Sequence, residues 1–82
     1  MNDLGNDPVY MHPLRKQARD QASYQMRMTG RAHYVLQVNA REPGAGFEYV
    51  DSLSQEDVLR LTDLIAPDGS VLDLTPLRGL AR

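Results

Sequence analysis

The chain has 82 residues, a formal net charge of −2 and no cysteine. A chain of this length forms one small domain and buries only about 60–65% of its unfolded surface, so its stability margin is thin. The lack of cysteine excludes a disulfide framework and a thiolate metal site. No segment resembles a signal peptide or approaches the ~20 apolar residues of a membrane span. We therefore expect a cytoplasmic protein without membrane contact.

Basic and acidic side chains are separated along the sequence. Residues 12–41 contain six basic and one acidic side chain, a balance of +5, and residues 42–73 contain one basic and eight acidic, a balance of −7. The two blocks could neutralise each other in the fold, form faces for different partners, or form two halves of a self-associating surface. Of these, we expect internal neutralisation.

The first twelve residues predict a flexible arm, because they mix Asn, Asp, Gly and Pro with little periodicity. Pro13 suits the first position of a helix. Residues 14–22 are rich in helix formers and carry apolar side chains at every fourth position. Met26 would extend this stripe, so a helix running to Met28 competes with a strand. We favour a change from helix to strand near Ser23.

From Tyr24 to Ala40 the residues alternate with the period of two that is typical of a strand with one buried face. Even positions are uncharged and mostly apolar, whereas odd positions carry Arg, Gln, Asn and His but no carboxylate. Because only an odd-length loop keeps the apolar face on one side, the pattern predicts a hairpin with positive φ at Gly30. The candidate partner-binding residues on its open polar face are Arg27, Arg31, His33 and Gln37.

A third strand and a second helix are predicted after a loop at residues 42–46. Residues 47–51 form the strand, with Phe47 and Tyr49 on the core side. The helix is predicted over 54–66, where apolar residues recur at helical spacing and pack on the sheet.

The start of that second helix carries the clearest local signal. Ser54 and Asp57 have the spacing of a capping box. Pro67-Asp68-Gly69 then turns the chain, residues 71–74 predict a fourth strand, and 75–82 form a tail. The candidate hydrophobic anchors for a partner in this tail are Leu77 and Leu80.

The elements together predict an α+β fold with the order α-β-β-β-α-β. A three- to four-stranded antiparallel sheet is packed on one face by the C-terminal helix (54–66), with a short N-terminal helix beside it. Residues 13–74 make a single domain.

Catalytic and metal-binding patterns are missing from the sequence. The two histidines, His12 and His33, have no carboxylate at motif spacing, and two histidines without cysteine make no zinc pattern. Gly44-Ala45-Gly46 lacks the third glycine of a dinucleotide-binding loop and predicts a turn. We therefore expect no cofactor, no metal and no enzymatic activity.

The predicted three-stranded sheet and Ser-capped acidic helix, over residues 24–65, resemble the plant AP2-type and integrase arm-type DNA-binding domains. The resemblance implies a polar sheet face in the major groove, where Arg reads guanine and Asn or Gln reads adenine. The tryptophans typical of the plant domains are missing, and a pI of about 5.5 opposes phosphate binding. The element order also resembles a double-stranded RNA-binding domain, but residues 55–57 are Gln-Glu-Asp where that family carries phosphate-binding lysines.

We expect a small non-enzymatic protein-binding module of bacterial or phage type, such as an inhibitor, adaptor or regulatory protein. The small core, the open sheet edges and the opposite charge blocks favour protein contacts and a homodimer. DNA binding through the polar sheet face is the alternative.

Overall fold

A computed structural model describes residues 12–76, which form one α-helix and four β-strands. The bounds are α1 Pro13–Thr29, β1 His33–Gln37, β2 Phe47–Val50, β3 Leu61–Ile65 and β4 Val71–Asp73. The strands form one antiparallel sheet in the order β2-β1-β3-β4. Short 3₁₀ segments, Pro43–Ala45 and Gln55–Arg60, precede β2 and β3. An α+β fold with an antiparallel sheet is confirmed, and the element order is α-β-β-β-β.

Helix α1 extends through the segment predicted as the first strand of a hairpin. Tyr24 and Met28 are 53% and 66% exposed, so they do not line a core face. The buried residues are Ala18, Ala22 and Met26, which lie four apart. A spacing of four residues fits a helical stripe and also falls on every second position, so both periods matched the same residues. The hairpin prediction is wrong, and the competing helical interpretation is confirmed.

Local signals define both ends of α1. Pro13 occupies the first turn as predicted, and the Leu14 N–H donates to His12 Nδ1 at 3.2 Å. At the other end, Gly30 adopts φ 73° and its N–H donates to the Met26 carbonyl at 2.7 Å. The positive φ predicted at Gly30 is confirmed, but it ends a helix instead of forming a hairpin loop.

The predicted C-terminal helix over 54–66 is wrong. The capping box does form, with the Ser54 N–H donating to Asp57 Oδ2 at 3.0 Å, but it begins a 3₁₀ segment that ends at Arg60. Residues 61–65 then extend as β3, which pairs with β1 on one side and β4 on the other. The apolar spacing suited a helix, but hydrogen bonding along both strand edges is available only to the extended chain.

Several shorter predictions are confirmed. Residues 47–50 form a strand, and Phe47 and Tyr49 pack against the core. Gly69 has φ 93° and donates its N–H to the Ala66 carbonyl at 2.9 Å, closing the predicted turn before β4.

The core lies between α1 and one face of the sheet. Its buried side chains are Ala18, Ala22, Met26, Val35 and Ile65, with Phe47, Tyr49 and Val71 packed around them. Small residues on the helix allow it to approach the strands closely. Over residues 12–76, no helix is long and apolar enough to cross a membrane.

Candidate protein-binding surface

Arg27, Arg31, His33 and Gln37 were expected on one open face of the sheet, but the structure does not bring these four residues together. His33 and Gln37 are only 5% and 7% exposed, because the sheet face that carries them with Val35 lies under α1. His33 Nδ1 lies 2.9 Å from the Arg31 carbonyl, and Gln37 Nε2 donates to the Asn39 carbonyl at 2.9 Å. The prediction that this face is open to solvent is wrong.

The two arginines of the predicted set lie near the end of α1. Arg27 is exposed in the last helical turn. Arg31 follows the helix, and its Nη2 lies 2.9 Å from Asp51 Oδ2. The two predicted anchors, Leu77 and Leu80, lie outside the described residues. A role of these residues in partner binding stays a prediction.

The basic and acidic blocks meet inside the fold, chiefly at Arg15 and Asp63. Arg15 Nε and Nη2 donate to Asp63 Oδ2 and Oδ1 at 2.9 and 2.8 Å, and Nη2 also donates to Asp73 Oδ1 at 3.2 Å. Arg19 Nε lies 3.7 Å from Asp63 Oδ1. These contacts, with the Arg31–Asp51 pair, show that three of the six basic residues of the first block pair with the acidic block within the fold, so the expected internal neutralisation is confirmed in part.

Burial makes the Arg15–Asp63 pair a structural connection between α1 and β3. Asp63 is fully buried, and the Thr62 hydroxyl lies 2.9 Å from its Oδ2. The hydrogen bond to Asp63 raises the pKa of Arg15 above its ordinary value, against the opposing effect of burial. Both carboxylate oxygens accept hydrogen bonds from within the fold, so this pair fixes the helix on the sheet.

A second ion-pair group lies at the end of the 3₁₀ segment. Arg60 Nη1 donates to Glu48 Oε2 at 2.8 Å, and Nη2 donates to Asp57 Oδ1 at 2.7 Å. The Glu48 hydrogen bond raises the pKa of Arg60. The Ser54 backbone N–H, followed by Arg60, lowers the pKa of Asp57. Glu48 alternates with Phe47 and Tyr49, so it lies on the sheet face opposite α1. Arg60 compensates one of the two carboxylates there, and the group keeps a net charge of −1.

That opposite face carries an apolar row across all four strands, which we call the open row. Its members are in register: Val50 pairs with Tyr34, Tyr34 with Leu64, and Leu64 with Leu72. Leu72 is 49% exposed and the other three are partly exposed. Helix α1 packs on the other face, against Val35 and Ile65. Among residues 12–76, the open row is an ordered apolar feature that α1 does not cover.

Other apolar side chains adjoin this face at one end. Leu36 is buried there, and the 3₁₀ segment contacts β1. Val38, which follows β1, is exposed, and so are Val58 and Leu59 of the 3₁₀ segment.

A sequence signal for the open row exists in adjacent apolar pairs. Each strand contains one: Tyr34-Val35, Tyr49-Val50, Leu64-Ile65 and Val71-Leu72. Because neighbouring residues of a strand point to opposite faces, each pair supplies apolar surface to both sides of the sheet. This pattern indicates a sheet that is covered on both faces. The predicted helix over 54–66 hides this signal, because it removes residues 61–65 from the sheet.

Comparison with protein-family models, with curated proteins and with solved structures finds no match. Within residues 12–76, no group of three His, Asp or Glu side chains is arranged to hold a metal ion. The open row is the feature on which a functional interpretation can be built.

Proposed function

We propose that this protein is a small non-enzymatic protein-binding module, such as an inhibitor, adaptor or regulatory protein, whose binding surface is the open row. The observation that carries the proposal is the in-register apolar row across β2, β1, β3 and β4. A cytoplasmic location, expected from the cysteine-free sequence, belongs to the same proposal.

The chemistry of the open row favours an apolar protein surface as its partner. Complete burial of a leucine or valine side chain stabilises by roughly 1.5–3 kcal/mol, although association entropy offsets part of this gain. Leu72 has the most area to lose to a partner because it is the most exposed member. It is therefore the expected centre of the binding energy.

The DNA-binding alternative receives no specific support from the arrangement of charges. The open row contains no cation, and Arg15, Arg31 and Arg60 each form an ion pair with a carboxylate. DNA binding depends on Lys and Arg that neutralise phosphates. The three-stranded polar face on which the DNA-binding resemblance depended is replaced by α1 over residues 24–29.

Affinity capture from a lysate of the native host tests the proposal. The wild-type chain is compared with Leu72→Glu, which places a charge in the open row, and with Leu14→Glu, the same change at an exposed leucine of α1. We expect Leu72→Glu to reduce capture at least tenfold and Leu14→Glu to retain it. Circular dichroism of both variants checks that the fold is kept.

Nuclease treatment and a salt titration distinguish protein binding from the DNA-binding alternative. Capture that persists after nuclease but is lost in Leu72→Glu supports protein binding by the open row. Equal capture by all three proteins contradicts the assignment of the surface. Binding to random duplex DNA that weakens steeply as salt rises supports the DNA alternative instead.

A further inference from the structure

We propose that a groove between α1 and β2 binds a small aliphatic diamine through its ammonium groups. The groove consists of two adjoining depressions that share Gln25 and Tyr49 in their lining. The larger one has a volume of about 510 Å³, within the range of roughly 300–1,000 Å³ that is typical of small-molecule sites. A small-molecule site at this place goes beyond the proposed function, which concerns a protein partner on the open row.

His33 lines the larger depression with a hydrogen-bond acceptor that has no protein partner. The side chain is only 5% exposed, and its Nδ1 lies 2.9 Å from the Arg31 carbonyl. Because a carbonyl only accepts, Nδ1 carries the proton in this contact, and the neutral imidazole then has Nε2 as an acceptor. Within residues 12–76, Nε2 makes no hydrogen bond. A nearly buried acceptor without a partner favours a ligand that donates a hydrogen bond.

Two further acceptors lie beside His33. The antiparallel register of β1 and β2, continued by one residue, puts Asp51 opposite His33. Arg31 Nη2 lies 2.9 Å from Asp51 Oδ2, whereas Oδ1 accepts no hydrogen bond in the described part of the chain. Gln25 of α1 adds an amide oxygen to the same depression. The three N–H donors of an ammonium group match these three acceptors in number.

The charged residues that line the groove also favour a cation. They are Asp51 in the larger depression and Asp20 in the smaller one, and neither depression is lined by Lys or Arg. Arg31 pairs with Asp51 from outside the groove, and Lys16 lies 4.0 Å from Asp20. Exposed ion pairs of this kind contribute little free energy. An incoming ammonium group can therefore compete for both carboxylates.

The placement of the two carboxylates favours a diamine over a monoamine. Asp20 and Gln25 are five positions apart on α1, a rise of about 7.5 Å. An extended five-carbon diamine bridges this rise, with one ammonium group near His33 and the other near Asp20. The rings of Tyr24 and Tyr49 line the smaller depression and offer their faces to the methylene chain and to the cation.

An NMR titration of the full chain with 1,5-diaminopentane at low salt tests the site. We expect saturable shift changes at Gln25, His33 and Tyr49. The dissociation constant should be on the order of 1 mM, because the carboxylates are partly solvent-exposed. The uncharged 1,5-pentanediol has the same length and should not saturate the site. Saturation of the same residues by the diol would overturn the proposed selection of a cation.

Carboxylate variants locate the diamine. Asp51→Asn should weaken binding at least about fivefold and Asp20→Asn about twofold, since both lose one charge-assisted hydrogen bond but Asp20 is the more exposed. Glu56→Gln, at an exposed carboxylate that lines neither depression, is the matched control and should bind like the wild-type chain. Equal weakening by Glu56→Gln and Asp51→Asn would mean general attraction to an acidic protein, and adventitious binding only.

Arg31→Gln distinguishes an amine site from an anion site. The substitution removes the cation that competes for Asp51, so diamine binding should become at least about twofold tighter. Glutarate, the dicarboxylate of matching length, is the opposite probe. Saturable glutarate binding that is lost in Arg31→Gln overturns the proposal in favour of an anion site.

The groove and the open row can be tested separately. Leu72→Glu should bind the diamine like the wild-type chain, because Leu72 lines neither depression. Loss of diamine binding in this variant, with the fold kept by circular dichroism, would contradict the placement of the site between α1 and β2. Capture of a host protein should in turn be unchanged in Asp51→Asn.

Discussion

On one face of the sheet polar side chains are buried, whereas on the other face apolar side chains are partly exposed. The face under α1 contains His33, Gln37 and Asp63, yet all three are buried. The opposite face carries the open row, which is apolar and partly exposed. Polarity alone therefore does not identify the solvent side of a strand in this protein.

The difference follows from which polar groups find partners. Asp63 accepts two hydrogen bonds from Arg15, and the side chains of His33 and Gln37 contact nearby backbone carbonyls. A buried polar group is tolerated when its hydrogen bonds are made. The apolar side chains of the open row need no hydrogen-bond partner, so they can stay partly exposed in the absence of a partner surface.

Breaking the ion pair under α1 should have the largest effect on stability. Asp63→Ala removes the buried carboxylate and leaves the largely buried guanidinium of Arg15 with the more exposed Asp73 as its remaining carboxylate partner, so we expect a loss of about 3–5 kcal/mol in the free energy of unfolding. Urea denaturation measures the loss. In a chain with a thin stability margin, the variant can lack a cooperative transition altogether, and Asp63→Asn then gives a smaller, measurable loss.

The matched control for that ion pair is exposed. Lys16 Nζ lies 4.0 Å from Asp20 Oδ2, and both side chains are more than 70% exposed. Lys16→Ala should change the free energy of unfolding by less than about 0.5 kcal/mol. Similar losses for Lys16→Ala and Asp63→Ala would contradict the structural role of the buried pair.

Truncating one apolar side chain on each face sharpens the comparison. Ile65 is fully buried under α1, so Ile65→Ala should cost about 3 kcal/mol of unfolding free energy. Leu72→Ala should cost less than about 1 kcal/mol in dilute protein, because the side chain is already half exposed. Thermal unfolding measures both losses. Equal losses for the two variants would contradict the difference between the faces.

Local chemistry made parts of this fold predictable from sequence. Pro13 at the helix start, the Ser54–Asp57 box and the left-handed glycine at position 30 depend on neighbouring residues, and all three are found. The prediction of helix or strand was wrong where contacts with residues far away in the sequence decide the secondary structure. Residues 61–65 are extended because they pair with strands on both sides and bind Arg15, 48 positions earlier than Asp63. No periodicity in the segment itself contains that information.

The candidate surface could be predicted only in part, for the same reason. The adjacent apolar pairs indicate that both sheet faces need cover, but recognising them requires the four strands to be known. The even positions of residues 24–40 combine a helical stripe and a strand face in one unbroken pattern. Gly30 separates the two, and its role as a helix end becomes visible only when Ala18, Ala22 and Met26 are seen to share one face.

The smallest expected effect concerns acid stability at the edge of the covered face. Burial alone would raise the pKa of Asp73, but hydrogen bonds from Thr75 and the nearby Arg15 lower it overall. A carboxyl whose pKa is lowered in the folded state stabilises the protein above its unfolded value of about 3.9, and this contribution is lost as the pH falls through the folded value. Asp73 is 62% exposed, so solvent screening limits its contribution to less than about 1 kcal/mol.

Asp73→Asn should therefore lower stability slightly at pH 7 and flatten the decline in stability between about pH 4 and the acid limit. Urea denaturation across this range measures the slope. Asp20→Asn, on the exposed side of α1, removes the same charge from a side chain that does not contact the sheet-bound Arg15, and should leave the slope closer to that of the wild-type protein. An acid slope that responds equally to both substitutions would mean that general charge, and not the contacts of Arg15 and Thr75 at the sheet, governs acid stability.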